Sequence, residues 1–333
     1  MSPRTRSLPP RLDVPVDGDA RAAALRAGQT FTLVSWNLQF CASRRHHFFY
    51  DGGAAVCVPR KDVLATQDSQ AAVLARTAPD LVLLQEVDRD SRRTHRIDTL
   101  PALLAASRAA RWASTWYHRA PFVPYPLPTM LGRVDMHLAL GSRTAMEGAE
   151  RLPLPLLRES RLRQTFNLKR ALLWARVPVE GWRRPLHVGV THLSAFSRGD
   201  GTMARQVAVL ADWMGARESE GQPWLLAGDL NLLPPGDDPH RLPDGMVSYP
   251  DQPNPIEHLT ARFRTAVPRA RWLDPAQRTY LPFGADAPDR KIDWIFLGPG
   301  LEVVDAGPVP DPEGLSDHLP LRALLHLTPL DPP

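Results

Sequence analysis

Cysteine is almost missing from this chain: Cys41 and Cys57 are the only two in 333 residues. Two thiols cannot build a disulfide framework, and their spacing is not that of a zinc knuckle. They flank one loop-like segment, so a single bridge stays open, although nothing else points to an oxidising compartment. Lysine is nearly as scarce, with Lys61, Lys169 and Lys291 set against many arginines. Arginine forks suit phosphate and carboxylate, but such an excess is read first as a genome-composition effect. The net charge of +4 therefore fits an anionic partner without requiring one.

Long apolar runs are missing too. No stretch approaches the roughly 18 residues that a membrane span needs. Residues 1–29, with Pro9, Pro10 and Pro15, lack the apolar core of a signal peptide. A cytoplasmic monomer is the expectation. With no internal repeat and no second compositional regime, one domain is expected over 30–328, between a flexible tail at 1–29 and a short tail at 329–333.

What is present begins with Trp224-Leu225-Leu226-Ala227-Gly228-Asp229-Leu230-Asn231. An apolar run of strand length breaks at glycine and presents an acid, then an amide two residues on. Positions i and i+2 share a strand face, so Asp229 and Asn231 are expected to point the same way. Such a pair can hold a hard metal ion, a phosphate or a water; alone, it is equally an ordinary turn.

Other stretches repeat the design. Thr32–Asn37, Leu81–Glu86 and Leu186–His192 read as strands that end in Asn37, Glu86 and His192. Asp293 lies inside the apolar stretch Lys291–Leu297, and Asp317-His318 precedes a last strand, Leu319–Leu327. Helices are expected near Lys61–Ala78, Leu100–Ala110 and Met203–Glu218, the last with Val207, Leu210, Ala211 and Met214 at i, i+3, i+4 and i+7. Strand ends this polar, interleaved with helices, imply a gathering at one rim. Buried charges there need partners or a metal.

Residues 40–60 form a long loop carrying Arg44, Arg45, His46, His47, Phe48, Phe49 and Tyr50. Cations beside aromatics suit a phosphate next to a flat substituent, so Arg44, Arg45 and Tyr50 are expected to bind substrate. At least one of Phe48 and Phe49 is expected to pack under the loop instead.

The motifs Ser35-Trp36-Asn37, Leu84-Gln85-Glu86, Thr191-His192, Gly228-Asp229-Leu230-Asn231, Ile292-Asp293-Trp294 and Ser316-Asp317-His318 appear in an order that resembles the endonuclease/exonuclease/phosphatase superfamily, the DNase I-like fold. The resemblance implies an α/β (α+β) four-layer αββα sandwich with a phosphoester-hydrolysing site at one rim. It implies Mg²⁺, or Mn²⁺, held by Glu86 with Asn37 beside it, and Asp317 as a further metal-side or water-side candidate. Asp293 would orient His318, as a base or phosphate-stabilising pair. His192 would donate to phosphate or serve as a general acid, and Asp229 and Asn231 would position water and phosphate oxygens. Arg170 resembles an arginine often found there. Two departures stand out: Asp135-Met136-His137 replaces the Gly-Asn many members carry, and no Tyr- and Asn-bearing loop of the abasic-site endonucleases is visible. A phosphodiesterase acting on nucleic acid, a lipid head group or a nucleotide-like diester is the leading expectation. A sugar- or inositol-phosphate phosphomonoesterase and a silent binding protein are the alternatives.

Overall fold

The computed structural model describes residues 11–195, 199–243, 248–250, 253–311 and 313–330. Two seven-stranded sheets pack on each other. The first is centred on the parallel strands Thr30–Asn37 and Leu81–Asp88. Leu321–Leu327 and Leu301–Pro308 extend it on one side; Gly132–Ser142, Arg111–Val123 and Asp17–Gly18 extend it on the other. The second is centred on the parallel pair Leu186–His192 and Trp224–Asp229. Ala171–Val177, Glu147–Pro153 and Leu12–Val14 lie beyond the former, Asp293–Leu297 and Arg264–Thr265 beyond the latter.

Two-residue periodicity sorts the side chains into layers. Val34, Trp36, Val82 and Leu84 cluster with Val73 and Leu74 of the helix Arg60–Thr77 and with Leu100 and Leu103 of Leu100–Ala106. Leu33, Leu81 and Leu83 face the opposite way, into the core shared by both sheets. Val207, Leu210, Ala211 and Met214 of the helix Thr202–Ser219 cover the second sheet. The result is the αββα sandwich.

Residues 11–29 are not a tail. Leu12–Val14 pairs with Glu147–Pro153, Asp17–Gly18 with Arg111–Val123, and Leu25–Arg26 with Val179–Glu180. Backbone pairing, to which composition is blind, laces this segment onto the sandwich and buries Leu25 completely. Residues 1–10 and 331–333 of the expected tails lie outside the described residues. Cys41 and Cys57 are free thiols, the former buried against Gln70. Among the described residues no helix is long and apolar enough to cross a membrane.

Gly228 is required by the sheet itself. Its φ is +151°, and a Cβ there would lie 1.9 Å from the Thr191 carbonyl oxygen on the paired strand. Backbone cannot swing aside as a flexible side chain can. Gly228→Ala is expected to cost about 3 kcal/mol in urea unfolding, the upper end of overpacking costs.

Candidate active site

Register carries the site. In the second sheet His192 sits opposite Asp229, and Asp229 opposite Asp293, so three strand ends place their polar residues in one row. In the first sheet Asn37 lies opposite Gln85, next to Glu86. Unbroken alternation would send Glu86 outward with Val82 and Leu84. Instead the pairing slips between Leu84 and Val87, and Glu86 takes φ +55°. A bulge re-aims a side chain in this way, and the left-handed backbone of a non-glycine residue costs about 1–3 kcal/mol. The strain places a carboxylate at the mouth between the sheets.

Asn37 ties the two rows together. Its Nδ2 donates to Asp229 Oδ2 at 3.1 Å and to Glu86 Oε1 at 3.4 Å, while its Oδ1 accepts from the Gln39 backbone N–H at 3.1 Å. Asn37 thus turns its donor to the carboxylates, and the oxygen expected to hold a metal is engaged elsewhere. It is a bridge between acids.

Asp293 and His318 meet as expected: His318 Nδ1 donates to Asp293 Oδ2 at 2.9 Å. Trp36 Nε1 donates to the His318 carbonyl, and Ser316 Oγ donates to that of Asn37, locking the Ser316–His318 turn onto the first sheet. The other ring nitrogen of His318 lies 3.5 Å from Asp229 Oδ2. Burial by itself would lower the His318 pKa, but Asp293 and then Asp229 outweigh it and hold it well above that of free imidazole. Burial pushes the Asp229 carboxyl up to about 7, with His318 opposing. Asp229, Asp293 and His318 also bring ligand atoms within 4.8 Å of one another, a set able to hold a cation. The protonated imidazole already supplies positive charge there.

His192 departs from expectation. Its Nε2 lies 3.2 Å from Asp229 Oδ2 and its Nδ1 3.1 Å from the Tyr117 hydroxyl, so neither nitrogen is left for phosphate. Burial, then Arg170 and His318, push its pKa well down. A neutral ring whose Nε2–H donates to Asp229 positions that carboxylate. Tyr117, which the sequence reading missed, completes the chain: its hydroxyl accepts from the Glu86 backbone N–H at 3.2 Å and donates to His192. Tyr117→Phe is expected to cost about 1–3 kcal/mol of thermal stability by orphaning that buried N–H, and to slow turnover by loosening Glu86.

These groups open on a cavity of about 410 Å³. Asn231 lines it with φ +50°, its side-chain amide donating to the Leu193 carbonyl and its N–H to Asp229 Oδ1. Asp317 lines it too. Burial raises that carboxyl to about 7 against the pull of His318, with Glu86 and Asp51 adding to the rise. Asp51, which in sequence reads as part of a glycine turn, faces the same cavity and is pushed up to about 6, first by burial and then by Glu86. Among the described residues no lysine or arginine forms an ion pair with Glu86, Asp229 or Asp317. Carboxylate oxygens gathered without a cation are the donor set of Mg²⁺ or Mn²⁺, so Glu86 and Asp317, with Asp51 near, fit such an ion.

Among the described residues three arginines line the cavity. Arg93 is engaged by Asp88, with contacts of 2.8 and 2.9 Å, and Arg290 pairs with Asp289. Arg170 is 7% exposed, and its Nε and Nη1 have no hydrogen-bond partner. It is held over the Tyr117 ring at 5.3 Å. A guanidinium in this state is built for an anion. The long loop contributes less than its composition promised. Arg44 Nη2 donates to the Pro282 and Ala285 carbonyls, Arg45 is exposed, and neither lines the cavity. Their charge could not reveal that one arginine would be claimed by backbone carbonyls. Tyr50 does line it, stacked 5.4 Å from Phe48, which is buried in a satellite cluster with Phe40, Val58 and Val63.

An acid–amide–histidine rim between two stacked sheets, beside an arginine that pairs with no carboxylate among the described residues, defines a scaffold for phosphoester hydrolysis. The chain belongs to the endonuclease/exonuclease/phosphatase family, whose profile matches residues 34–318. Members of that family hydrolyse phosphoesters and generally depend on a divalent metal. An endonuclease/exonuclease/phosphatase from Beutenbergia cavernae DSM 12333 is similar at 23% identity and TM-score 0.64, over 90% of this chain and 72% of that one. The human Nocturnin catalytic domain with bound sulfate is similar at 16% identity and TM-score 0.56, over 95% and 97%. The D. rerio TDP2 structure with a single-strand DNA product is similar at 15% identity and TM-score 0.53, over 89% and 99%. Identities this low speak to the fold alone. No curated protein matches the chain.

Proposed function

We propose that this protein is a divalent-metal-dependent phosphodiesterase. The observation that carries the reading is the pairing of opposites in one cavity: Arg170, with two guanidinium nitrogens unpartnered, lines it together with Glu86, Asp229 and Asp317, which among the described residues form no ion pair with lysine or arginine. A phosphate with its metal ion satisfies both sides at once. Glu86 and Asp317 would hold Mg²⁺ or Mn²⁺, which when bound neutralises phosphate charge and polarises a P–O bond. Arg170 binds a non-bridging oxygen. Asp229, whose carboxyl is pushed up to about 7 by burial and which is fixed by Asn37, His192 and the Asn231 N–H, suits the role of a base that takes a proton from water. His318, charged and held by Asp293, offers its Nε2 side to the developing negative charge.

A diester is favoured over a monoester by the shape of the void. A second cavity of about 370 Å³ shares Ala195, Asn231, Ser248 and Tyr249 with the first. Space therefore continues past Asn231 beyond the cavity that holds the acid–histidine cluster, and only a diester has a second substituent to place there. Single-stranded DNA, the product bound in the similar TDP2 structure, is one candidate. The test is a panel of bis(p-nitrophenyl) phosphate, p-nitrophenyl phosphate, single-stranded DNA, RNA and phospholipid, with and without Mg²⁺ or Mn²⁺. The diester should turn over at least about tenfold faster than the monoester, a discrimination within reach of pocket contacts alone. A preference for the monoester would overturn the diesterase assignment.

A further inference from the structure

From Ala120 to Gly132 no side chain is charged, and Arg119 and Arg133 bracket the run. This run is the tip joining the strands Arg111–Val123 and Gly132–Ser142. Phe122, Tyr125 and Leu127 on it are 50%, 63% and 72% exposed. Apolar patches of this kind on a folded chain mark interaction surfaces. Pro121, Pro124, Pro126 and Pro128 remove four N–H donors from the tip, and the Leu131 N–H is satisfied by the Tyr125 carbonyl at 2.9 Å. The tip can thus leave water with few orphaned backbone groups.

A second element stands beside it. The short helix Arg161–Phe166 packs near the strand Arg111–Val123, and the Phe166 carbonyl bonds to His118 Nε2 at 2.9 Å. It exposes Leu162 at 71%, with Arg158, Arg161 and Arg163 also exposed. Among the described residues none of these three guanidinium groups forms an ion pair with a carboxylate. The acids nearby are occupied: Glu159 accepts from Asn167 Nδ2, and Asp200 from the Arg158 backbone N–H. Both elements border the active-site cavity, since Val123, Leu131 and Phe166 line it. The Tyr125 ring lies 5.5 Å from that of Phe49, another lining residue.

The geometry points to a membrane-docking rim: Phe122, Tyr125, Leu127 and Leu162 seat in the interface of an anionic lipid bilayer, with Arg158, Arg161 and Arg163 on its head groups. Arg119 and Arg133 are paired with Asp135 and Asp90. The complementarity to such a surface therefore comes from the uncharged apolar tip together with the three arginines of the neighbouring segment, which among the described residues pair with no carboxylate. A nucleic acid would be met instead by aromatics interleaved with cations, whereas two of the four exposed apolar residues are leucines and the tip holds no cation. Docked this way, the cavity opens toward the lipid. The substrate is then an amphiphile whose first apolar carbons run along Val123, Leu131 and Phe166. That last step rests on the phosphodiesterase reading; the docking does not.

Sedimentation with vesicles of phosphatidylcholine, alone or with roughly one third phosphatidylglycerol, tests it. The wild-type protein should bind the mixed vesicles, less so at about 0.5 M salt. The triple substitution Phe122→Ser, Tyr125→Ser, Leu127→Ser should weaken binding at least about tenfold. Arg158→Glu, Arg161→Glu and Arg163→Glu together should erase the preference for anionic over neutral vesicles. Both variants should melt like the wild type and hydrolyse bis(p-nitrophenyl) phosphate at its rate. No vesicle binding by the wild type, or undiminished binding by the serine variant, overturns the proposal. So does binding of a single-stranded oligonucleotide, and not of vesicles, that the serine variant loses. Failure of the wild type to cleave the soluble diester would instead sink the phosphodiesterase reading, whatever the vesicles show.

Discussion

Chelating the divalent ion is expected to lower diester turnover by on the order of 10²–10³-fold, the cost of losing one preorganised charge-stabilising group. Glu86→Gln should lower turnover and also raise the Mg²⁺ or Mn²⁺ concentration needed for half activity. A second readout needs no substrate. Asp51 and Asp317 are pushed up to about 6 and about 7, above the ordinary carboxylate pKa of about 4. Between that value and their folded pKa the folded protein binds more protons than the unfolded chain. Stability contributed by these two groups therefore falls as pH rises through the window. Above it the carboxylates are charged and repel each other, and a divalent ion relieves them. The thermal shift on adding Mg²⁺ or Mn²⁺ should accordingly be larger at about pH 8 than at about pH 5, and Glu86→Gln should shrink it. Full activity in excess EDTA, together with no metal-dependent shift at either pH, would rule the metal out.

How much of this was legible beforehand depends on what each residue asks of its neighbours. The strand ends Asn37, Glu86, His192, Asp229 and Asp293 were visible because a polar residue closing or interrupting an apolar run conflicts with local pattern, and such conflicts collect at functional sites. The strand Arg111–Val123 was not visible. Its inward positions are Ala113, Thr115 and Tyr117, buried while Trp112, Ser114 and Trp116 stay half-exposed, so its alternation is not written in aliphatic residues. Missing the strand meant missing Tyr117, which holds Glu86 and His192 together. The bulge that turns Glu86 inward is likewise a property of register, which only the paired strand reveals. Residues 11–29 were misread for the same reason. Asn37 and His192 both line the cavity, but the direction of their hydrogen bonds, which decides their chemistry, is set by partners distant in the chain.

His318→Ala and Asp293→Asn should each lower kcat by on the order of 10³-fold, and the double substitution by little more, because groups acting as one unit are strongly non-additive. The pH profile then separates two roles for the pair. Burial acts to lower the His318 pKa, and Asp293 is the foremost group raising it. If the imidazolium stabilises phosphate charge, activity is lost as pH rises through the His318 pKa. Removing the Asp293 charge takes away the foremost group opposing burial, so the alkaline limb of the kcat/KM profile of Asp293→Asn should move to lower pH. If His318 were instead the base, activity would appear as pH rises through that pKa, and the same substitution would carry the acid limb to lower pH. Stability follows the same sign. A raised histidine pKa stabilises the fold fully below the unfolded value, and that contribution is lost as pH rises through the folded one. Asp293→Asn should therefore lower the melting temperature more at acid and neutral pH than at alkaline pH. An unmoved alkaline limb in a folded Asp293→Asn protein would show that Asp293 does not govern the charge on His318, and the imidazolium role would go with it.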